Sequence, residues 1–143
     1  MTIVITDITI LSKLVVKASE RGVDLAEFKF YAVQPALTEP ERREAMELER
    51  MGILSLDELP NSEEETLWLC NNYHPSIETR ELMAIRYAII NKHILLTNSP
   101  IIADVAQQLN ARMLDVNDIK KQTNHWEWFK KQHIQFGKVA ALL

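Results

Sequence analysis

The sequence predicts an α/β fold: a three-layer sandwich around a central, mainly parallel sheet of about five short strands. Short runs of β-branched and apolar residues alternate with longer stretches of helical period, the pattern of βαβ units. No internal repeat, low-complexity run or Gly/Ser linker divides the chain. Asp7, Asn98 and Asp115 each stand at the close of an apolar run. In a parallel sheet that is the end beyond which ligands gather.

Each element has its own cause. Ile3, Val4 and Ile5 are β-branched and open a strand, and Asp7 places a charge where the strand should end. Leu11, Leu14 and Val15 then follow a helical period to Ala18, with a break expected near Gly22. FKFYAV, residues 28–33, reads as a second strand stopped by Pro35. Thr38 begins Thr-Glu-Pro-Glu, a capping box to Glu41 with Pro40 near the first helical position, so a helix should run to about Met51. ILSL at 53–56 is a third strand, and Ser62 with Glu65 repeats the capping pattern before EETLWLCNN. A helix over residues 77–92 places Leu82, Ile85 and Ile89 on one face. ILLT at 94–97 has the length and apolarity of a buried strand. Ser99-Pro100 starts a helix with Ile102, Val105, Ala106 and Leu109 as its core stripe. RMLDV, 112–116, is the last strand, and 118–136 reads as one amphipathic helix.

The bounds are those of one ordinary globular domain: 143 residues, 47% apolar and 25% charged. Residues 1–117 form the α/β domain. Residues 118–143 form a C-terminal amphipathic helix and tail, part of the same domain or a partner-contact element. Residues 1–118 hold 11 Lys/Arg against 19 Asp/Glu, a net −8, while 119–143 hold five lysines against Glu127 alone, a net +4. An acidic body with a basic tail suggests different partners for the two. The single cysteine, Cys70, excludes an intramolecular disulfide and fits a reducing cytoplasm; a small buried hydrophobe is its expected role. No secretory leader or membrane-spanning run is read, so the expected location is cytoplasmic and no membrane partner is expected.

Carboxylates gathered at one sheet edge repel each other unless a cation joins them. Oxygen ligands of this kind select Mg²⁺ or Mn²⁺. Such an ion can generate hydroxide and stabilise charge on a phosphodiester. Asp7, Glu41 and Glu81 come from three separate elements and could converge in this way. The four histidines, His74, His93, His125 and His133, have no metal-ligand spacing. HWEWFKKQHIQF mixes Trp126, Trp128 and Phe129 with lysines, a composition that can stack on single-stranded nucleic acid. On a terminal helix, packing against the domain or a partner is the commoner use of such a stripe.

The order of elements and the residues at their junctions resemble PIN-domain nucleases, including the PIN-like toxins of bacterial toxin–antitoxin pairs. VITDITIL looks like that family's first strand, with its Asp at Asp7 and a hydroxyl two residues on at Thr9. VQPALTEPERRE is similar to the segment whose second acid opens a helix; Glu41 fits best there, with Glu39 and Glu44 as alternatives. TRELMAIRYAIINKHILLTNSPIIADVAQQLNARMLDV resembles the acidic helix, buried strand, next helix and last strand, with Glu81 as the third acid. The match covers roughly residues 3–117. It departs where the family usually has Asp after the fourth strand: this chain has Asn98 and then Ser99.

The resemblance implies a metal-dependent endoribonuclease, with Asp7, Glu41 and Glu81 as Mg²⁺ or Mn²⁺ ligands. Asn98 would be a weak fourth ligand or a water-positioner, with Thr9 and Ser99 in support. An amide brings no negative charge, so metal binding would be weak or lost. Single-stranded RNA would be the substrate. The partner would be an antitoxin-like or other protein, or a second copy of the chain. The rival expectation is a non-catalytic PIN-like domain that binds RNA or a protein. A haloacid-dehalogenase-like phosphatase is disfavoured, because its first motif needs a second Asp where this chain has Thr9.

Overall fold

The computed structural model describes all residues, Met1–Leu143. In chain order the elements are β1 (Thr2–Ile5), α1 (Ile8–Arg21), β2 (Lys29–Val33), a 3₁₀ turn at Gln34–Ala36 and α2 (Glu39–Arg50). Next come β3 (Leu54–Asp57), α3 (Glu63–Asn71), α4 (Thr79–Asn91), β4 (Ile94–Thr97), α5 (Pro100–Gln108) and β5 (Met113–Asp115). The chain ends with α6 (Val116–Lys121), α7 (Asn124–Gln132) and α8 (Phe136–Ala140).

The five strands form one sheet in the order β3-β2-β1-β4-β5, and every pairing is parallel. β1 is central, with β2 on one side and β4 on the other. Alternate strand residues point to opposite faces, and this divides the core in two. Ile3, Ile5, Phe30, Leu54 and Leu96 pack with α1, α2 and the C-terminal helices. Val4, Tyr31, Val33 and Leu95 pack with α3, α4 and α5. The result is a three-layer α/β sandwich. Covering both faces explains why ILLT is buried throughout rather than alternating.

Two expectations are corrected here. The tail from 118 is not one helix. Gln122 adopts a left-handed conformation (φ 54°) that ends α6, and Thr123 caps α7 by accepting from the Trp126 amide. Bending lets the tail wrap the sheet, burying Trp126, Phe129, Phe136, Val139 and Leu142 in the core. Lys17 of α1 donates to the Leu142 carbonyl at 3.1 Å and ties the end of the chain to the centre. Cys70 is exposed, not buried. Helix α3 docks through the face carrying Glu65, Trp68 and Leu69, so Leu67 and Cys70 turn outward.

That docking rests on a charge pair. Arg86 of α4 donates from Nε and a terminal nitrogen to the two oxygens of Glu65, at 2.7 and 3.0 Å, and lies 4.8 Å above the Trp68 ring. The bidentate geometry is the strong form of the interaction. On the same face the Tyr87 hydroxyl donates to Asp57 at 2.6 Å, linking α4 to the end of β3.

Phe136 is 1% exposed and meets Phe28, Trp126 and Phe129 edge-on. Phe136→Ala should therefore lower unfolding free energy by about 3–5 kcal/mol in urea titration. Glu65 offers a pH test. The Arg86 hydrogen bond holds its carboxyl below the ordinary glutamate value, against the opposing effect of desolvation. A lowered folded value means the pair's stabilisation is complete above the unfolded glutamate pKa and lost as pH falls through the folded one. Glu65→Gln should cost about 2–3 kcal/mol at neutral pH, less than a fully enclosed pair, and the deficit should shrink at about pH 3.

Candidate functional site

Because all strands run the same way, their carboxyl ends and the N-termini of the following helices meet at one edge. Asp7 is the N-cap of α1: its Oδ1 accepts the Thr9 amide at 2.9 Å. Thr9 thus contributes its backbone to the site. The Asn98 side-chain amide lies 3.5 Å from the other Asp7 oxygen, a long contact. The adjacency of Asp7 and Asn98 follows from β1 and β4 being neighbours. Ser99 caps α5 by accepting the Ile102 amide at 3.3 Å, and its own amide donates to Thr97 Oγ1.

One neighbour was not foreseen. The Asn117 side-chain amide donates to the Asn98 carbonyl at 3.0 Å and to Asp115 Oδ1 at 2.9 Å. Asp115 also accepts the Asn117 backbone amide, as the cap of α6. Asp7, Asn98, Asn117 and Asp115 therefore form a polar row along the ends of β1, β4 and β5.

The other two predicted acids belong to a second group. Glu41 Oε1 accepts the Thr38 hydroxyl at 2.8 Å and the Thr38 amide at 3.2 Å, the expected capping box of α2. Glu81 Oε1 accepts the Glu78 amide at 2.8 Å and caps α4 in the same manner. Between the two helix starts lies Arg80. Its Nε donates to Glu78 Oε2 at 2.6 Å, and one terminal nitrogen donates to Glu41 Oε1 at 3.3 Å and to the Ala36 carbonyl at 3.1 Å. The Glu78 bond raises the Arg80 pKa, with Glu41 and Glu81 adding attraction, while Glu78 itself is lowered chiefly by that bond. Of the alternative second acids, Glu39 is exposed and 3.7 Å from Arg42, while Glu44 lies a turn further along α2.

Arg80 is the residue that sequence reasoning missed. Its only signal was a basic residue in a helix's first turn, where acids are favoured. Glu78 was missed too, since glutamate is an uncommon cap.

The donor set decides whether a divalent ion fits. Glu41 and Glu78 hold a guanidinium, Glu81 is bonded to backbone, and no three Asp, Glu, His or Cys side chains are grouped to hold a metal. Asp7 keeps an amide for a neighbour, not a second carboxylate. As arranged, these residues do not fit a resident Mg²⁺ or Mn²⁺.

No family model matches the chain, and no curated protein matches it. A solved structure similar to it is a domain of a functionally unknown protein from Methanocaldococcus jannaschii DSM 2661. The TM-score is 0.52 and the identity 16%, over 80% of this chain and 89% of that one. At that identity the likeness shows the fold alone.

Capping predicts what Asp7 does in the absence of any ligand. Asp7→Ala should cost about 1 kcal/mol in chemical denaturation, whereas Asp7→Asn, which can still cap, should cost only a few tenths.

Proposed function

We propose that this chain is a non-catalytic PIN-like domain of the cytoplasm that works by binding a protein partner. The observation that carries this reading is Arg80, whose guanidinium lies among Glu41, Glu78 and Glu81. A tethered cation there satisfies the charge that a metal ion would otherwise neutralise. Asn98 supports the same reading, since it removes the fourth carboxylate that the resemblance leads one to expect. An RNA partner is less favoured by a net charge of −4, because phosphate contacts need an excess of cations.

The second reading is an endoribonuclease of PIN type, toxin-like, with Mg²⁺ or Mn²⁺ bound by Asp7, Glu41 and Glu81. Its support is the juxtaposition of Asp7 and Asn98 at adjacent strand ends.

Isothermal titration with MnCl₂ and incubation with a single-stranded RNA pool separate the two. The binding reading expects no Mn²⁺ heat and no cleavage from the parent. The double variant Arg80→Ala, Asn98→Asp removes the tethered cation and adds a charge, so it should gain Mn²⁺ affinity. Metal-dependent cleavage by the parent, abolished by Asp7→Ala in a protein that still melts cooperatively, would overturn the binding reading and establish the nuclease.

A further inference from the structure

The sheet has an open edge at β5, and a groove of about 620 Å³ runs beside it between α5, α6 and α7. Three of its properties specify a ligand. The first is the backbone. The Leu95 amide donates to the Arg112 carbonyl at 2.8 Å, in a parallel ladder that registers Leu95 opposite Met113. In such a ladder a residue bonds to the two flanking its opposite number. Arg112 and Leu114 therefore direct their peptide groups toward β4, and Met113, a residue of the groove's lining, turns its N–H and C=O away from β4 at the sheet's edge.

The second is an aromatic wall. Trp128 is 59% exposed, in contrast to the buried Trp126 and Phe129 of the same helix, and His125 packs beside it with ring centroids 6.4 Å apart. The third is charge. The lining holds Asp104, Asp115 and Asp118 against Arg112 alone. Burial, with the Arg112 and N-terminal charges, pushes the His133 pKa below the ordinary histidine value and so disfavours its charged form. Asp115 is committed to Asn117, but none of the six ion pairs in the chain involves Asp104 or Asp118.

From this we infer that the β5 groove docks an extended segment of a partner protein bearing arginine or lysine. The segment's backbone pairs with Met113, and its cationic side chain is received by Trp128, Asp104 and Asp118. An outward peptide group on an edge strand supplies main-chain affinity by strand addition. An indole face next to carboxylates selects a cation. The same carboxylates repel a phosphate backbone, which sets RNA aside for this surface. The inference deepens the protein-binding reading and rests on it, but it uses none of the residues of the acid-and-arginine cluster.

A fluorescein-labelled peptide of alternating arginine and valine tests it, by fluorescence anisotropy on the full chain and by amide chemical shifts. The expected result is saturable binding, with shifts at Met113 and at the Trp128 indole. Asp104→Asn with Asp118→Asn should weaken it about tenfold, and Trp128→Ala several-fold with partial rescue by Trp128→Phe. Asp104 and Trp128 are exposed and Asp118 is half-buried, so thermal melts of the variants should stay close to the parent. A peptide with glutamate for arginine, or one N-methylated at alternate amides, should not bind. Absence of binding, equal binding of the glutamate peptide, insensitivity to Asp104 and Asp118, or tighter binding of oligouridine in the same groove would overturn the inference. Mn²⁺-dependent RNA cleavage would instead overturn the binding reading alone and leave the peptide result to stand on its own.

Discussion

Five strands running in one direction impose a common polarity on everything attached to them. Each β-to-α junction brings a helix N-terminus, with its unpaired amides and partial positive charge, to the same edge. Asp7, Glu41, Glu81, Ser99 and Asp115 all satisfy such amides there. The acidic edge is thus what a parallel sheet with short junctions demands, before any ligand is considered. Carboxylates recruited for capping can be borrowed for metal chemistry only where nothing else neutralises them. In this chain Arg80 does so for the group at α2 and α4.

The two faces of the sheet are held by different means. The face under α1 and α2 is sealed by large rings from the tail, Trp126, Phe129 and Phe136; Phe136 meets Phe28, which packs in turn on Phe30. The opposite face uses aliphatic residues with a Tyr31–Tyr87–His93 ring cluster, plus polar anchors at its margin, the Glu65–Arg86 pair and the Tyr87–Asp57 bond. That division places the groove beside β5, because the wrapping tail and α5 lie on either side of an edge strand only three residues long.

The parallel sheet and the placement of Asp7 and Asn98 at strand ends were legible in the sequence because both follow from apolar runs alternating with helical stretches. The start of α2 was legible from Thr38 and Glu41, a capping box with local cause. Three features were not. The bend at Gln122 depends on a left-handed residue that carries no glycine signal, and Thr123 alone is a common loop residue. Cys70 faces outward because α3 docks through Glu65, Trp68 and Leu69, and apolar residues lie on both sides of that helix, so hydrophobicity alone does not choose the face. Arg80 meets Glu41 across 39 residues of sequence, and no local pattern foretells such a contact.

The Lys17–Leu142 bond joins residues 125 positions apart, and the rings of the tail fill a face whose other half is laid down in the first helix. The α3–α5 side, by contrast, is built from a nearly contiguous stretch of chain. During synthesis that side can assemble early, while the α1 side stays an open apolar surface until the last helices emerge. Contacts of such high sequence separation slow the final step of folding, and the waiting surface is where aggregation or chaperone capture would begin.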